Sequence, residues 1–452
     1  MSVRLIDSLA TKEPLAELFS DRSVLRAMLE FEVALARAQA GLGMVPPSAA
    51  EAIAAAARVE DFDIASLSEQ AMRAGALAIP LVQMLRERVR QESPVAADFV
   101  HCGATSQDVA DTALILLLRR SQPILQGDLK RLEEALFRLS EEHSQTVMLG
   151  RTLLVAAPPV TFGLKAAGWL AAVRRNRRRL ASSFPEALIV QFGGASGTLA
   201  ALGDQGLAVA KALAGELKLT LPEAPWHSQR DRLAALVSAC AILTGSLGKM
   251  ARDVALLMQT EVAEVAEPGG EGRGGSSTMP HKHNPVGCVV TLAAAHRMPG
   301  LVASFLSGMV QEHERAAGGW QAEWPTVAGV VEGTGVATAS MAEVAEGLTV
   351  DASRMRFNIE ATHGVVFAEK AMMLLSQKLG RNPAQKILDQ AIRQSRFERR
   401  NLSDVLAEIP EVTRHLDGEA LRNLDSPEDY LGATQSLIRR LLREERAGKK
   451  EG

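Results

Sequence analysis

The sequence contains few aromatic residues and few cysteines. Aromatic side chains make up 4% of its 452 residues, and tyrosine occurs once. This scarcity, together with abundant Ala, Leu, Glu, Arg and Gln, favours helix over strand. The three cysteines, Cys102, Cys240 and Cys288, are odd in number and widely spaced, which indicates neither a disulfide framework nor a zinc site. The fold class predicted from this composition is all-α.

An excess of charge of one sign is also lacking, because 50 Lys and Arg residues stand against 53 Asp and Glu residues. The net charge of −3 leaves no electrostatic footprint for nucleic acid or an anionic membrane. The run from Arg174 to Arg179 is interpreted as a solvated helix face. No uninterrupted apolar run approaches the roughly 18 residues of a membrane span, and the amino terminus lacks a signal-peptide pattern. We expect a soluble, cytoplasmic protein without nucleic-acid or membrane partners.

Long helices are predicted in the middle of the chain. Leucines within residues 125–147 are spaced by three and four, with charges between them. Residues 230–267 lack proline and carry recurring Ala, Gly and Ser on an apolar face. This face fits either a buried helix of an ordinary bundle or a helix that oligomerises through its small residues. The length suggests about three domains, and we place them at 1–104 (helical), 105–348 (long-helix bundle) and 349–452 (helical).

The segment EPGGEGRGGSSTMPHKHNPVG, residues 267–287, is the most informative of the chain. Its glycines suit a closing loop, and Asn284 followed by Pro285 predicts the start of a helix. Lys282 and this helix end are expected to form an anion site that Ser276 and Ser277 can reach. The two histidines beside Lys282 have no carboxylate or cysteine at ligand spacing, so no metal is expected.

A second polar segment, TSQD, precedes another apolar helix pattern. Thr105 with Asp108 three residues later resembles a capping box. The same residues can also cradle an anion, and the cap and the cradle can coexist. The cradle is the favoured interpretation.

The segment GSSTMPHKHNP is similar to the signature GSSxMPxKxNP of the fumarase/aspartase superfamily. Similar segments follow the superfamily's order along the chain, at residues 101–112, 150–163 and 426–432. Three further segments resemble the branch that lactonises 3-carboxy-cis,cis-muconate, at residues 191–203, 217–233 and 311–324. The resemblance covers essentially the whole chain.

This resemblance implies a role for individual residues. Ser276 would be the general base that removes a carbon-bound proton, and Lys282 and Asn284 would hold the resulting aci-carboxylate. A serine alkoxide is strongly basic, so such a base requires nearby positive potential. The residues that would bind substrate carboxylates are Thr105, Ser106, Gln107, Arg151, Thr152, Ser277 and Arg315.

The resemblance also implies an architecture. It predicts a three-domain all-α fold in which long helices of the central domain form the core of a homotetramer. Each active site would be assembled from three subunits. No cofactor is expected, because the chemistry consists of proton transfer and charge stabilisation.

Two departures from the superfamily pattern bear on the substrate. Leu153 and Ala156 stand where relatives that eliminate amine or hydroxide carry a histidine, and residues 74–82 lack the histidines of adenylosuccinate lyases. Opening a lactone expels a carboxylate, which needs no proton because its acid has a pKa of about 4. Trp320 and Trp324 fall where adenylosuccinate lyases bind a phosphate, and indoles cannot pair with phosphate as a guanidinium does.

The expected function is therefore the reversible cycloisomerisation of 3-carboxy-cis,cis-muconate, a small polycarboxylate, to a carboxymuconolactone in protocatechuate (β-ketoadipate) catabolism. Two alternatives stay open: an adenylosuccinate lyase-like C–N lyase acting on a dicarboxylate, and a catalytically silent, crystallin-like helical oligomer. The presence of Ser276, Lys282 and Asn284 counts against the silent oligomer.

Overall fold

Helices dominate the computed structural model, which describes residues 5–270, 272–275, 278–279 and 282–448. The α-helices are, in chain order, α1 Leu15–Leu18, α2 Asp21–Gly41, α3 Pro47–Ala56, α4 Ile64–Ala74, α5 Ala78–Glu92, α6 Pro94–Ala97, α7 Ser106–Glu142, α8 Phe162–Ala187, α9 Gly206–Leu217, α10 Asp231–Leu257, α11 Val286–Gly308, α12 Gly319–Gly347, α13 Ala352–Glu360, α14 Ala368–Leu379, α15 Arg381–Glu398, α16 Leu402–Ala407, α17 Pro410–Thr413, α18 Gly418–Arg422 and α19 Thr434–Gly448. The helical fold class is confirmed.

Two short antiparallel pairs of strands accompany the helices in the described residues. β1 Val147–Thr152 pairs with β2 Val155–Thr161, and β3 Val265–Ala266 pairs with β4 Thr349–Val350. The sequence analysis did not predict them. Adjacent prolines, Pro158 and Pro159, lie within β2 and are incompatible with a helix interior, so this segment forms a hairpin instead.

The predicted long helices exist but end earlier than their sequence patterns suggested. The leucine pattern lies on α7, where Leu129, Leu132, Leu136 and Leu139 are all buried. That helix ends at Glu142, and Val147 already belongs to β1. Similarly, α10 ends at Leu257 although residues 258–267 contain no proline that would stop a helix. A helix stop without proline or glycine leaves little trace in a sequence.

The chain divides into two compact units. Unit 1 comprises Met1–Lys130, Arg175–Gly248 and Val289–Ser340. Its main core joins α2, α3, α5, α9 and the first turns of α7, and Phe31, Leu81, Leu85 and Leu116 in it are inaccessible to solvent. This core supports the loops at residues 101–105 and 190–202, on which part of the candidate site is built.

Unit 2 comprises Arg131–Arg174, Lys249–Cys288 and Met341–Gly452. The helices α14 to α18 enclose one apolar cluster, with Leu375, Ala391 and Leu406 fully buried. A second cluster fixes the β1–β2 hairpin, because Val147 and Leu149 of β1 pack with residues Ile359 and Phe367.

Within the part of the chain that the structure describes, two helices are long and apolar enough to cross a membrane by length and composition. In α10, 61% of the apolar window is buried within the structure, as in a core helix, whereas in α11 only 28% is buried. Most of the apolar window of α11 is therefore exposed in the single chain.

The arginine run lies on α8 and is only partly a solvated face. Arg175, Arg177, Arg178 and Arg179 are exposed, as predicted. Arg174 is buried, however, and its guanidinium donates to the carbonyl oxygen of Leu441 at 2.9 Å. The prediction of a solvated side chain was wrong for this residue. Asn176 of the same run is also buried, because side chains along a helix follow a 3.6-residue period and six consecutive residues cannot all face solvent on a packed helix.

Candidate active site

The TSQD segment forms the start of α7, as its pattern predicted. The backbone N–H of Thr105 donates to Asp108 Oδ2 at 3.0 Å, which is the carboxylate half of a capping box. Ser106 is the first residue of the helix and is half-buried. Thr105 and Ser106 therefore lie at the positive end of a long helix, where a carboxylate is stabilised.

Arg315 lies against Thr105, although 210 residues separate them in the chain. Its guanidinium donates to Thr105 Oγ1 at 3.0 Å and to the carbonyl oxygen of Ala195 at 3.0 Å. The Nε–H of Arg315 is buried and has no partner among the described residues. Because the Thr105 oxygen accepts from Arg315, its own O–H stays free to donate. These two unfilled donors, beside a helix end, suit a substrate carboxylate.

The third residue of the segment, Gln107, lies in the interior. Its side chain is fully buried, and its amide N–H groups donate to Asp111 Oδ2 at 3.2 Å and to the carbonyl oxygen of His227 at 2.8 Å. In this structure Gln107 contributes to the site by supporting the first turns of α7.

Asp111 belongs to a buried ionic network that the sequence analysis missed. Arg230 is fully buried and donates to Asp111 at 2.8 Å and 3.0 Å and to Glu323 at 2.6 Å. Burial raises the pKa of Glu323, and the charge of Arg230 opposes that rise. The network thus compensates one buried cation with two carboxyl groups. It joins α7 and α12 to the residue that precedes α10 within unit 1.

The two tryptophans form an apolar wall beside this network. Trp320 is buried and donates from Nε1 to Asp111 Oδ1 at 3.0 Å, and its ring meets that of Trp324 edge to face at 4.9 Å between centroids. Trp324 also lines an apolar cavity of about 290 Å³ together with Leu77, Ala110 and Leu114. Nothing in this lining is a cation that would bind a phosphate.

The loop before α7 is fixed by a histidine–glutamate pair. His101 Nδ1 lies 2.6 Å from Glu32 Oε1, and the Glu32 side chain is buried. Burial alone would lower the pKa of His101, but the charge of Glu32 and its hydrogen bond more than offset this, so the pKa lies above its ordinary value. The amide of Gln39 also donates to the carbonyl oxygen of Cys102 at 2.8 Å. Two buried polar side chains of α2 therefore hold this loop.

In unit 2, Arg151 and Thr152 end strand β1. Arg151 donates to Glu264 through both terminal nitrogens, at 2.7 Å and 2.9 Å, and Glu264 also accepts from Asn358 at 2.8 Å. Thr152 is exposed. The predicted substrate-binding arginine is thus fixed by an internal carboxylate, which orients its remaining N–H groups.

The β1–β2 hairpin carries Leu153 in its turn and Ala156 in β2, the two residues at which a histidine was expected to be missing. Leu153 and Leu154 occupy its tip with φ of 51° and 67°, and they are 97% and 80% exposed. Ala156 faces Arg151 in the register of the hairpin. Two exposed leucines in a left-handed turn are costly in backbone strain and in apolar exposure, so this tip is unusual for a purely structural turn.

The glycine-rich segment is described in part, and Ser276 and Ser277 lie outside the described residues. Lys282 is exposed, and Asn284 is half-buried with its N–H donating to the carbonyl oxygen of Gly274 at 2.8 Å. Helix α11 begins at Val286, one residue later than predicted. Glu267 accepts from the N–H groups of Gly287 at 2.9 Å and Cys288 at 2.8 Å. An internal carboxylate therefore occupies the helix end that the sequence suggested for a bound anion.

Most residues that the sequence did not predict form hydrogen bonds or ion pairs with site residues or helices that it did predict. Glu264, Glu267 and Arg230 hold predicted site residues or their helices, but each is far from its partner in the chain. Within the described ranges, no cluster of three or more His, Cys, Asp or Glu side chains is placed to hold a metal ion.

Comparison with known proteins identifies the family. The lyase family model matches residues 9–300, and the model for the adenylosuccinate lyase C-terminus matches residues 364–441. The chain belongs to the fumarase/aspartase lyase superfamily. It is therefore an enzyme of the lyase type, and the resemblance inferred from the sequence motifs is confirmed.

Individual relatives cover nearly the whole chain. A 3-carboxy-cis,cis-muconate cycloisomerase from Bradyrhizobium diazoefficiens is 50% identical over 93% of this chain and 94% of its own length. The crystal structure of the 3-carboxy-cis,cis-muconate lactonizing enzyme from Pseudomonas putida superposes with a TM-score of 0.93 and 45% identity, covering 98% of this chain and 99% of that one. A nitrosuccinate lyase from Streptomyces davaonensis is 41% identical over 97% of this chain and 94% of its own.

Proposed function

We propose that this lyase-superfamily enzyme catalyses the reversible cycloisomerisation of 3-carboxy-cis,cis-muconate to a carboxymuconolactone, a step of protocatechuate (β-ketoadipate) catabolism. The observation that carries the proposal is the 50% identity to a named cycloisomerase over 93% of the chain. The absence of a histidine at positions 153 and 156 also supports the proposal, because a carboxylate leaving group needs no proton at neutral pH.

In the lactonising direction, a carboxylate oxygen of the substrate attacks one carbon of a double bond and forms the ring C–O bond. Ser276 delivers a proton to the neighbouring carbon. In the reverse direction Ser276 removes that proton, the electron pair forms the double bond, and the ring carboxylate leaves. Lys282 and Asn284 stabilise the aci-carboxylate that develops during proton transfer.

The residues proposed to bind the substrate's carboxylates form two groups. Thr105, Ser106 and Arg315 provide a hydroxyl, a helix end and a buried Nε–H. Arg151, Thr152 and Ser277 provide further donors, and Gln107 supports the first of these groups from the interior. Donors of this kind hold a polycarboxylate in both the ground state and the transition state.

We also propose a cytoplasmic homotetramer without a cofactor, with three domains at 1–104, 105–348 and 349–452 and each active site assembled from three subunits. The weakly buried apolar surface of α11 and the exposed Ile242 on α10 support an assembly through the long helices. Burial of such surface between copies would stabilise the oligomer.

Absorbance measurements with purified protein test the proposed reaction. Lactonisation interrupts the conjugated diene of 3-carboxy-cis,cis-muconate, so its ultraviolet absorbance should fall on addition of the enzyme. Fumarate, adenylosuccinate and argininosuccinate serve as comparison substrates and should not turn over at a similar kcat/KM. Turnover of one of these in place of the muconate would contradict the proposal.

A second candidate is elimination from a C–N-linked dicarboxylate. The observation that favours it is the 41% identity to a nitrosuccinate lyase over 97% of the chain. Nitrosuccinate should therefore be included in the assay, and a kcat/KM that exceeds the value for the muconate would decide for this candidate.

A further inference from the structure

One carboxylate, that of Asp108, accepts four hydrogen bonds in the interior of unit 1. Its Oδ1 accepts from the N–H of Gly193 at 3.0 Å and lies 2.7 Å from His227 Nε2. Its Oδ2 accepts from the N–H groups of Thr105 at 3.0 Å and Gly194 at 2.9 Å. The Asp108 side chain is fully buried, and these four donors fill its acceptor capacity.

The four donors come from three separate segments of the chain. Thr105 ends the loop of residues 101–105, Gly193 and Gly194 belong to the loop of residues 193–195, and His227 precedes α10. His227 is 4% exposed, and its ring is the only side chain among the four donors. A charged acceptor that joins three loops fixes their relative positions more firmly than neutral hydrogen bonds would.

Two of the three segments that Asp108 joins also hold Arg315, namely the loops of residues 101–105 and 193–195. The guanidinium donates to Thr105 Oγ1 on one loop and to the Ala195 carbonyl oxygen on the other. Arg315 therefore depends on the spacing between the loops, which the Asp108 carboxylate sets from the buried side.

The loop of residues 193–195 is closely packed at its two glycines. A Cβ at Gly193 would lie 2.8 Å from His227 Cε1, and Gly194 has a φ of 69° with its Cβ position 2.9 Å from the carbonyl oxygen of Gly103. The loop thus has no side chain of its own at these positions to anchor it, and its amides bind the Asp108 carboxylate instead.

We propose that Asp108 and His227 are positioning residues for the substrate-binding pair Thr105 and Arg315. Asp108 sets the spacing of the two loops, and His227 holds Asp108 in place by donating from Nε2. Neither residue contacts the substrate. The inference rests on the proposed function in one respect, since it takes Thr105 and Arg315 as ligands of a substrate carboxylate.

Kinetics separate this role from a merely structural one. A carboxylate that Thr105 and Arg315 hold throughout the reaction contributes equally to substrate and transition-state binding, so loss of the spacing raises KM and leaves kcat largely intact. A substitution that only destabilises the fold lowers the amount of active enzyme. It reduces the apparent kcat at unchanged KM.

The first experiment uses Asp108→Asn. An asparagine retains one acceptor oxygen but turns an NH₂ group toward N–H donors, so we expect KM to rise at least about tenfold with kcat within about threefold of wild type. Amide hydrogen exchange at Thr105, Gly193 and Gly194 should be faster than in wild type. Thr244→Val is the control, because Thr244 is buried in unit 1 and, among the described residues, its hydroxyl bonds to Cys240 and Thr334 and to none of the residues of this network. Its KM should not change.

The second experiment uses a pair of variants at His227 and remains informative if Asp108→Asn does not fold. His227→Leu removes the donor to Asp108 and should raise KM. In His227→Gln the terminal NH₂ can donate to the carboxylate, so KM should return to within about threefold of wild type. Equal KM values for these two variants would overturn the role of His227.

The outcomes distinguish this inference from the proposed function. If wild type does not convert 3-carboxy-cis,cis-muconate, the proposed function fails, and hydrogen exchange in Asp108→Asn still tests the spacing of the loops. If wild type is active but Asp108→Asn has an unchanged KM, or its three amides exchange as in wild type, the positioning role is wrong.

Discussion

Glu264 holds the guanidinium of Arg151 through two hydrogen bonds, of 2.7 Å and 2.9 Å, while its own side chain is inaccessible to solvent. The pair is therefore a partly buried ion pair and not a surface one. Glu264 also accepts from Asn358, so that it joins the end of β1 to α13 and fixes the direction in which Arg151 points.

Replacing Glu264 by glutamine should destabilise the protein. The variant keeps the size of the side chain but leaves the Arg151 charge without its partner, and we expect the free energy of unfolding to fall by about 2 kcal/mol because Arg151 is partly exposed. Urea unfolding at a fixed protein concentration measures this. Glu346→Gln is the matched control, since Glu346 pairs similarly with Arg131 in a more exposed setting; its effect should stay below about 0.5 kcal/mol. Equal losses of unfolding free energy in Glu264→Gln and Glu346→Gln would contradict the expectation that the buried pair contributes more than the exposed one.

The catalytic base is tested at Ser276. Ser276→Ala should lower kcat at least about a thousandfold, because a base acts only in the transition state. Circular dichroism and sedimentation should remain those of wild type. Ser277→Ala is expected to cost less than Ser276→Ala. Near-normal turnover of Ser276→Ala would remove Ser276 from this role.

The absence of a histidine at position 156 predicts that the leaving group departs without being protonated. If a carboxylate leaves, Ala156→His should not accelerate turnover in either direction, since no proton is required. The imidazole would gain a proton near a polyanion, because negative charge raises a histidine pKa. It could then tighten binding, but uniform binding does not raise kcat. A gain of about tenfold, worth about 1.4 kcal/mol of barrier, would indicate that leaving-group protonation limits the rate and would favour an amine or hydroxide lyase.

The His101–Glu32 pair predicts how stability changes with pH. The pKa of His101 is higher in the folded protein than its ordinary value, because the charge and hydrogen bond of Glu32 outweigh burial. Its stabilisation is therefore fully present below the unfolded pKa of about 6.5 and is lost as the pH rises through the folded pKa. Asp108 adds to the rise and Arg86 opposes it.

Glu32→Gln should remove the pH dependence of stability that arises from His101. The stability difference between wild type and Glu32→Gln should be largest near about pH 6 and should shrink toward about pH 9, as measured by urea unfolding. His101→Gln should show the same loss of pH dependence. A difference that grows as the pH rises would have the wrong sign for this pair.

Assembly through the long helices is tested on α10. Ile242 is 47% exposed in one copy of the chain, and in the proposed tetramer it is covered by another copy. Ile242→Glu should shift sedimentation from a tetramer toward smaller species and reduce activity, because it buries a charge. Leu207→Glu on α9 is the control, as Leu207 is 76% exposed and lies outside the long helices. A stable, active wild-type monomer would contradict the tetramer.

The sequence predicted those features that depend on neighbouring residues. The period of the leucines predicted α7, and the TSQD pattern predicted the cap that Thr105 and Asp108 form. It did not predict that Glu267 caps α11 from about twenty residues upstream, or that Arg315 donates to Thr105 across 210 positions. Those pairings depend on tertiary packing, and local propensity contains no information about them. The β1–β2 hairpin was missed because its sequence lacks the usual Asn-Gly or Asp-Gly turn.

The three cysteines differ in a way that is useful for measurement. Cys240 and Cys288 are buried, burial raises their thiol pKa values, and that of Cys240 reaches about 12. Cys102 is partly exposed. Because thiol-directed reagents require access and a thiolate, a maleimide fluorophore should label Cys102 selectively in the unmodified protein. Cys102 is three residues from Thr105, so the native chain offers an attachment point for a spectroscopic probe that follows ligand binding at this loop in real time.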